Sequence, residues 1–67
     1  MNLVHLSSYS IDISTIRLIQ WSVDETTHDN RRLIGIRVYT TNSNFFLYAE
    51  DHNYLEDAAK LREAVGN

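Results

Sequence analysis

Apolar and polar residues alternate with a period of two along three stretches in the middle of the chain. This pattern predicts strands over residues 16–23, 33–41 and 45–50. The stretch from Asp24 to Arg32 is polar throughout, and we interpret it as a solvated connection. The cluster Asn42-Ser43-Asn44 is typical of a tight turn. Consecutive strands with short connections predict an antiparallel meander.

The predicted strands have two faces that are both rich in large side chains. A two-residue loop at Asn42 and Ser43 places Val38 opposite Leu47 on an aliphatic face. The second face then carries Arg37, Tyr39, Phe46 and Tyr48. In the first strand, Ile19, Trp21 and Val23 are expected to share one face. Gly35 stands alone inside a strand, which indicates a bulge or a close approach of another backbone segment.

The C-terminal part of the chain predicts one amphipathic helix that begins at Asp51 or Asn53. Asn53 and Glu56 match a capping box, and Gly66 is a plausible residue to follow the helix end. The helix pattern has an apolar stripe of Tyr54, Ala58, Leu61 and Val65. Its polar side consists of Glu56, Asp57, Lys60 and Glu63. A helix this short must dock on a sheet to be stable, and the aliphatic face is its natural site.

The N-terminal segment has a less definite pattern. Residues 2–6 form a short β-type start that Ser7 and Ser8 interrupt. Residues 9–13 fit a strand, and residues 12–15 fit equally well a single helical turn with Asp12 as its cap. Both interpretations stay open at the level of sequence.

These elements predict a single domain over residues 1–67 of the α+β class, with a sheet of three to four antiparallel strands and one C-terminal helix packed on one face. The expected core comprises Ile16, Ile19, Trp21, Ile34, Ile36, Val38, Leu47, Ala58, Leu61 and Val65.

Composition limits what can stabilise so small a chain. Sixty-seven residues bury a modest fraction of their surface, and such domains often rely on disulfides, a metal or oligomerisation. The chain has no cysteine, which excludes disulfides and thiolate metal sites. Oligomerisation is therefore the leading supplement, and we expect a homodimer or a higher homo-oligomer. No secretory signal or membrane-spanning run is visible, so we expect a cytoplasmic protein.

The distribution of charge argues against nucleic acid as a partner. The net charge is −3, and the six basic residues are scattered except for the pair Arg31 and Arg32. That pair is a candidate contact for a phosphate or carboxylate, although a solvated loop is the simpler interpretation.

No catalytic or cofactor signature is present. His5, His28 and His52 lack the spacing of metal ligands, and acidic residues near His28 and His52 have no matching nucleophile. We therefore expect no enzyme, no metal and no cofactor.

The second face, with Arg37, Tyr39, Phe46 and Tyr48, is the candidate site because Tyr, Phe and Arg are enriched at interface cores. Three interpretations remain: the N-terminal segment covers it, another copy covers it, or it stacks a nucleotide or other small ligand. The leading hypothesis is a small regulatory or accessory protein that self-associates through its sheet and binds another macromolecule. The alternative is a small-ligand or nucleotide binder with its site at a subunit boundary.

The run from Ile11 to Ile19 is similar in rhythm to the FlbD family of flagellar proteins, and the layout resembles several small bacterial and phage families. The Asn-Gly turn expected of the FlbD family is missing. The resemblance therefore implies no functional residue.

Overall fold

A computed structural model describes residues 2–66 and confirms an α+β fold. Its elements in chain order are β1 (Leu3–His5), β2 (Ser10–Asp12), β3 (Ile16–Thr26), β4 (Arg32–Thr40), β5 (Asn44–Tyr48) and α1 (Tyr54–Ala64). The strands β3, β4 and β5 form an antiparallel meander in that order, and β1 pairs with β2 in a separate hairpin. The helix α1 is eleven residues long, and no helix in the described range is long and apolar enough to cross a membrane.

The N-terminal segment contains both of the structures that its sequence allowed. The β1–β2 hairpin turns at Ser7 and Ser8, where the amide of Leu6 donates to the carbonyl of Tyr9 at 2.7 Å. A 3₁₀ turn over residues 13–15 follows β2 directly. The carboxylate of Asp12 caps this turn and accepts hydrogen bonds from the amide and hydroxyl of Ser14 at 3.0 and 2.7 Å. These hydrogen bonds lower the pKa of Asp12 because they favour its charged form.

The connection between β3 and β4 is shorter than its polar sequence indicates. Thr26 pairs with Arg32, so only residues 27–31 form the turn. The amide of Thr27 donates to the carbonyl of Arg31 at 2.8 Å, and Asn30 adopts a left-handed conformation with φ of 65°. Polar residues extend both strands because their side chains point to solvent while their backbones continue the ladder.

Two bulges in β3 change the face on which its side chains lie. The pairing with β4 shifts between Ile16 and Leu18 and again between Gln20 and Val23. Val23 therefore lies opposite Gly35 and not on the face of Ile19, contrary to the prediction of regular alternation. A bulge adds one residue to one strand, so residues beyond it exchange faces, and the sequence carries no clear signal of this.

The β4–β5 register differs from the predicted one by two residues. Val38 lies opposite Phe45, and Arg37 lies opposite Phe46. The two-residue turn consists of Thr41 and Asn42, since the amide of Thr40 donates to the carbonyl of Ser43 at 2.8 Å. The Thr40 hydroxyl also accepts from the Ser43 amide at 3.1 Å, which stabilises the earlier turn. A shift of two residues preserves the faces, so the predicted division between aliphatic and aromatic sides is unchanged.

The helix begins after Asn53 as predicted, but the capping box does not form. Asn53 has φ of −89° and ψ of 0°, and its side chain makes no capping hydrogen bond. An N-cap side chain reaches the helix amides from an extended backbone, whereas Asn53 is already helical. Glu56 and Lys60 form the expected pair at 3.9 Å.

The core lies between the sheet and two covering elements on the same side. Its buried members are Leu6, Ile11, Ile36, Val38, Leu47 and Leu61. Partly buried residues packed against them are Val4, Ile16, Ile19, Trp21, Phe45, Tyr54, Ala58 and Val65. The β1–β2 hairpin and α1 thus share the aliphatic face, which we call the inner face. The prediction of Ile34 as a core residue was wrong, because it lies opposite Asp24 towards the end of the β3–β4 hairpin and is 44% exposed.

A buried carboxylate joins these two covering elements. Asp57 is only 4% exposed, whereas its helix pattern predicted a position on the polar side. Its Oδ1 accepts from the Ser7 amide at 3.1 Å, and its Oδ2 accepts from the Ser7 hydroxyl at 2.6 Å. Both oxygens are therefore hydrogen-bonded, as a buried carboxylate requires. The N-terminal turn thus sits directly on the first turns of the helix.

Candidate functional site

The opposite side of the β3–β5 sheet, here called the outer face, carries the residues singled out from the sequence. Cross-strand partners share a face, so the pairing assigns its members. They are Leu18, Gln20, Val23 and Glu25 on β3, Leu33, Gly35, Arg37 and Tyr39 on β4, and Asn44, Phe46 and Tyr48 on β5. The register thus brings Arg37, Tyr39, Phe46 and Tyr48 together on one face. Their role in binding stays a prediction.

The centre of the outer face is packed around Gly35. Val23 is buried opposite this glycine, although it does not belong to the core cluster of the inner face. A Cβ atom at Gly35 would lie 2.9 Å from the ring of Phe46 and 1.9 Å from the carbonyl oxygen of Leu47. The glycine therefore permits the close approach of β5, as its isolated position in a strand indicated. The Phe46 ring in turn contacts Tyr48, with centroids 4.8 Å apart.

Arg37 connects the aromatic rings to an acid on the neighbouring strand. Its guanidinium lies 5.3 Å from the centroid of Phe46 and donates to Glu25 at 2.7 Å. The hydrogen bond from Arg37 lowers the pKa of Glu25, and the same bond raises the pKa of Arg37. Arg37 is half-buried by this arrangement, which holds its charge in place above the sheet.

The outer face exposes large apolar and aromatic side chains beside the polar residues Gln20, Glu25 and Asn44. Leu18 is 53% exposed and Tyr48 is 38% exposed, and Leu33, Tyr39 and Phe46 are partly exposed beside them. The N-terminal segment, one of the predicted covers for this face, contributes Leu6 and Ile11 to the inner face. In residues 2–66, both covering elements therefore lie on the other side of the sheet.

The geometry around Arg31 and Arg32 does not favour an anion site. The guanidinium of Arg32 is already bound to Asp24 in a bidentate contact. Its Nε and Nη2 atoms donate to the two carboxylate oxygens at 2.9 and 2.8 Å. This contact lowers the pKa of Asp24. The hollow beside Arg31 also includes Glu50 and Asp51, whose carboxylates would repel an anion.

The histidines lie apart from the outer face and do not form a cluster. His5 shares a hydrogen bond of 2.8 Å with the Ser10 hydroxyl across the N-terminal hairpin. Within the described range, no three His, Asp or Glu side chains are grouped as metal ligands would be. The outer face itself offers a packed aromatic surface and one ion pair, and this combination suits recognition of another surface.

Several members of the outer face were not identified from the sequence as site residues, among them Leu18, Val23 and the Arg37 partner Glu25. The sequence places Ile19 on one face of the first strand, so simple alternation puts its neighbour Leu18 on the other face, where the structure shows it 53% exposed. No sequence signal indicated that Val23 lies on the outer face, because only the bulge between Gln20 and Val23 moves it there.

Comparison with known proteins gives no match: no protein-family model, curated protein or solved structure is significantly similar to this chain. The resemblance in rhythm to the FlbD family therefore gains no support.

Proposed function

We propose that this chain is a non-enzymatic interaction protein that self-associates through the outer face and binds another macromolecule. One observation carries the proposal. The N-terminal hairpin and the helix both pack on the inner face, whereas the outer face presents exposed Leu18 and Tyr48 beside partly exposed aromatic rings. Apolar patches of this kind mark interaction sites on small proteins.

The composition of the outer face suits an interface core. Tyrosine, phenylalanine and arginine are enriched in such cores, and Tyr39, Phe46 and Arg37 all lie on the outer face. Arg37 is held by Glu25 and by the Phe46 ring, so little side-chain freedom remains to be lost on association.

Size and charge favour a second copy as the occupant. A standard interface buries about 800 Å² on each partner, which is roughly one sixth of the 4854 Å² surface of this chain. A single side of the molecule is therefore large enough to form a standard interface. A two-fold interface uses the same patch twice, and this patch carries one cation, Arg37, and one anion, Glu25. Because Arg37 and Glu25 are already paired within each copy, the patch can face itself without bringing an unpaired charge into the interface.

The solution mass of the protein tests this proposal. We expect the wild-type mass to rise with concentration in analytical ultracentrifugation, towards a dimer or a higher oligomer. Tyr39→Glu places a new charge on the outer face and should yield a folded monomer over the same range, since desolvating an unpaired carboxylate is costly.

A matched control distinguishes the outer face from general surface hydrophobicity. Leu55 is 79% exposed on the helix, away from the outer face, so Leu55→Glu should self-associate like the wild type. Circular dichroism would check that both variants are folded. A monomeric wild type at every concentration, or equal effects of the two substitutions, would contradict the proposal.

The geometry offers no observation in favour of the small-ligand alternative. Of the arginines proposed for it, Arg37 binds Glu25 and Arg32 binds Asp24, while Arg31 lies beside Glu50 and Asp51. An incoming phosphate would have to displace a carboxylate from Arg37 and from Arg32.

A further inference from the structure

A second surface of the molecule lies along the free edge of β3. This strand is at one end of the β3–β4–β5 order, so one side of its backbone has no strand partner. A shallow, open groove of about 460 Å³ follows this edge and is bordered on its other side by Ala64 and Val65 at the end of α1. Consecutive residues from Ile16 to Ile19 line it, although their side chains alternate in direction. The groove therefore exposes the strand edge itself.

The floor of the groove includes apolar side chains. The strand supplies the side chains of Ile16, Ile19 and Trp21, and the helix end supplies that of Val65. These residues pack against the core from its margin and remain partly exposed. An extended segment laid along β3 would bond to the free backbone groups and place alternate side chains against this floor.

The charge at the groove is opposite to that of the whole chain. Arg17 lines it, and the Arg62 guanidinium stacks 4.4 Å from the ring of Trp21. Within residues 2–66, neither arginine belongs to an ion pair, whereas Arg32, Arg37 and Lys60 all do. In a chain of net charge −3, two cations without acidic partners thus flank one apolar groove. The helix end contributes a partial negative charge there, which is smaller than two full positive charges.

From these observations we infer that the groove binds a short, extended, acidic segment of a partner protein, which adds to the free edge of β3. Carboxylates of the segment pair with Arg17 and Arg62, and an apolar side chain between them packs on Trp21. The bulges on either side of residues 18–20 restrict regular pairing to a few residues, so the segment is short. The inference rests on the proposed function and specifies its second half, the macromolecular partner. The groove shares Leu18 with the outer face but does not include Tyr39.

Trp21 provides a direct readout, because it is the only tryptophan of the chain and lies in the groove. The probe is a synthetic decapeptide of alternating valine and glutamate, blocked at both ends. Titration into the protein should give a saturable change in tryptophan fluorescence. A valine–lysine decapeptide should give none, and a valine–glutamate decapeptide with prolines in place of its central valines should bind much more weakly because it lacks amide donors.

Substitution of the arginines tests the assigned contacts. Arg17→Ala combined with Arg62→Ala should weaken binding of the acidic peptide by about tenfold or more, as expected for the loss of charge-assisted hydrogen bonds. Arg31→Ala is the matched control, because Arg31 also lacks an ion pair in the described range but lies beside Glu50 and Asp51. Its affinity for the peptide should equal that of the wild type.

Three results would overturn the inference: no saturable response to the acidic peptide, an equal response to the lysine peptide, or unchanged affinity in the double variant. The titration is repeated in the Tyr39→Glu background. Binding that persists there supports the groove whatever the oligomeric state. Loss of binding there would tie the response to self-association and would contradict a separate groove site.

Discussion

At the residue scale, Gly35 determines how closely the strands of the outer face can approach. It has φ of 157°, a conformation that other residues rarely adopt, and it faces the Leu47 carbonyl without room for a Cβ atom. The sequence alone indicated either a bulge or a close backbone approach at this lone strand glycine. It did not indicate the partner, because the predicted register paired Gly35 with Glu50, whereas the structure pairs it with Tyr48 and with Val23.

Gly35→Ala should therefore destabilise the fold strongly. Backbone strain and overpacking each cost roughly 1–3 kcal/mol, so we expect a loss of about 3 kcal/mol or more in the free energy of unfolding, measured by urea denaturation. A domain of this size has little more than that to lose. Ser22→Ala, at an exposed position in β3, serves as the control and should change stability by less than about 0.5 kcal/mol. Equal stability of the two variants would show that β5 does not approach Gly35 as described.

At the scale of elements, the types of the three central strands and the helix could be predicted because their periodicity is strong. Their ends could not: β3 continues through Asp24, Glu25 and Thr26, since polar residues extend an exposed hairpin without disturbing its ladder. The position of the N-terminal hairpin could not be predicted from the sequence either. It depends on the buried contact between Asp57 and Ser7, which are distant in sequence and individually resemble ordinary surface residues.

This contact predicts how the N-terminal hairpin is held on the helix. Asp57→Ala should lower the free energy of unfolding by about 1–3 kcal/mol, because the Ser7 amide loses its partner in a part-buried place. Hydrogen exchange at the Ser7 amide should accelerate in the same variant. Glu63→Ala, on the exposed side of the same helix, should leave both quantities unchanged. If Asp57→Ala behaved like Glu63→Ala, the hairpin would be held by its apolar residues alone.

At the scale of the whole molecule, the β3–β5 sheet has a covered inner face and an uncovered outer face. The sequence predicted a two-faced hairpin and left three possible covers for its aromatic side. The structure assigns the N-terminal residues Leu6 and Ile11 to the inner face. The N-terminal segment therefore does not cover the aromatic side. The N-terminal hairpin and the helix both pack on the inner face. The outer face therefore keeps exposed apolar side chains, and self-association is proposed from these.

Hydroxyl-radical footprinting over a concentration series tests this account most directly, because it reports the exposure of individual side chains. We predict that Leu18, Tyr39 and Tyr48 lose reactivity as the protein concentration rises, while Leu55 on the helix stays equally reactive throughout. Reactivity at Leu18, Tyr39 and Tyr48 that does not depend on concentration, or protection centred on Leu55, would contradict an interface on the outer face.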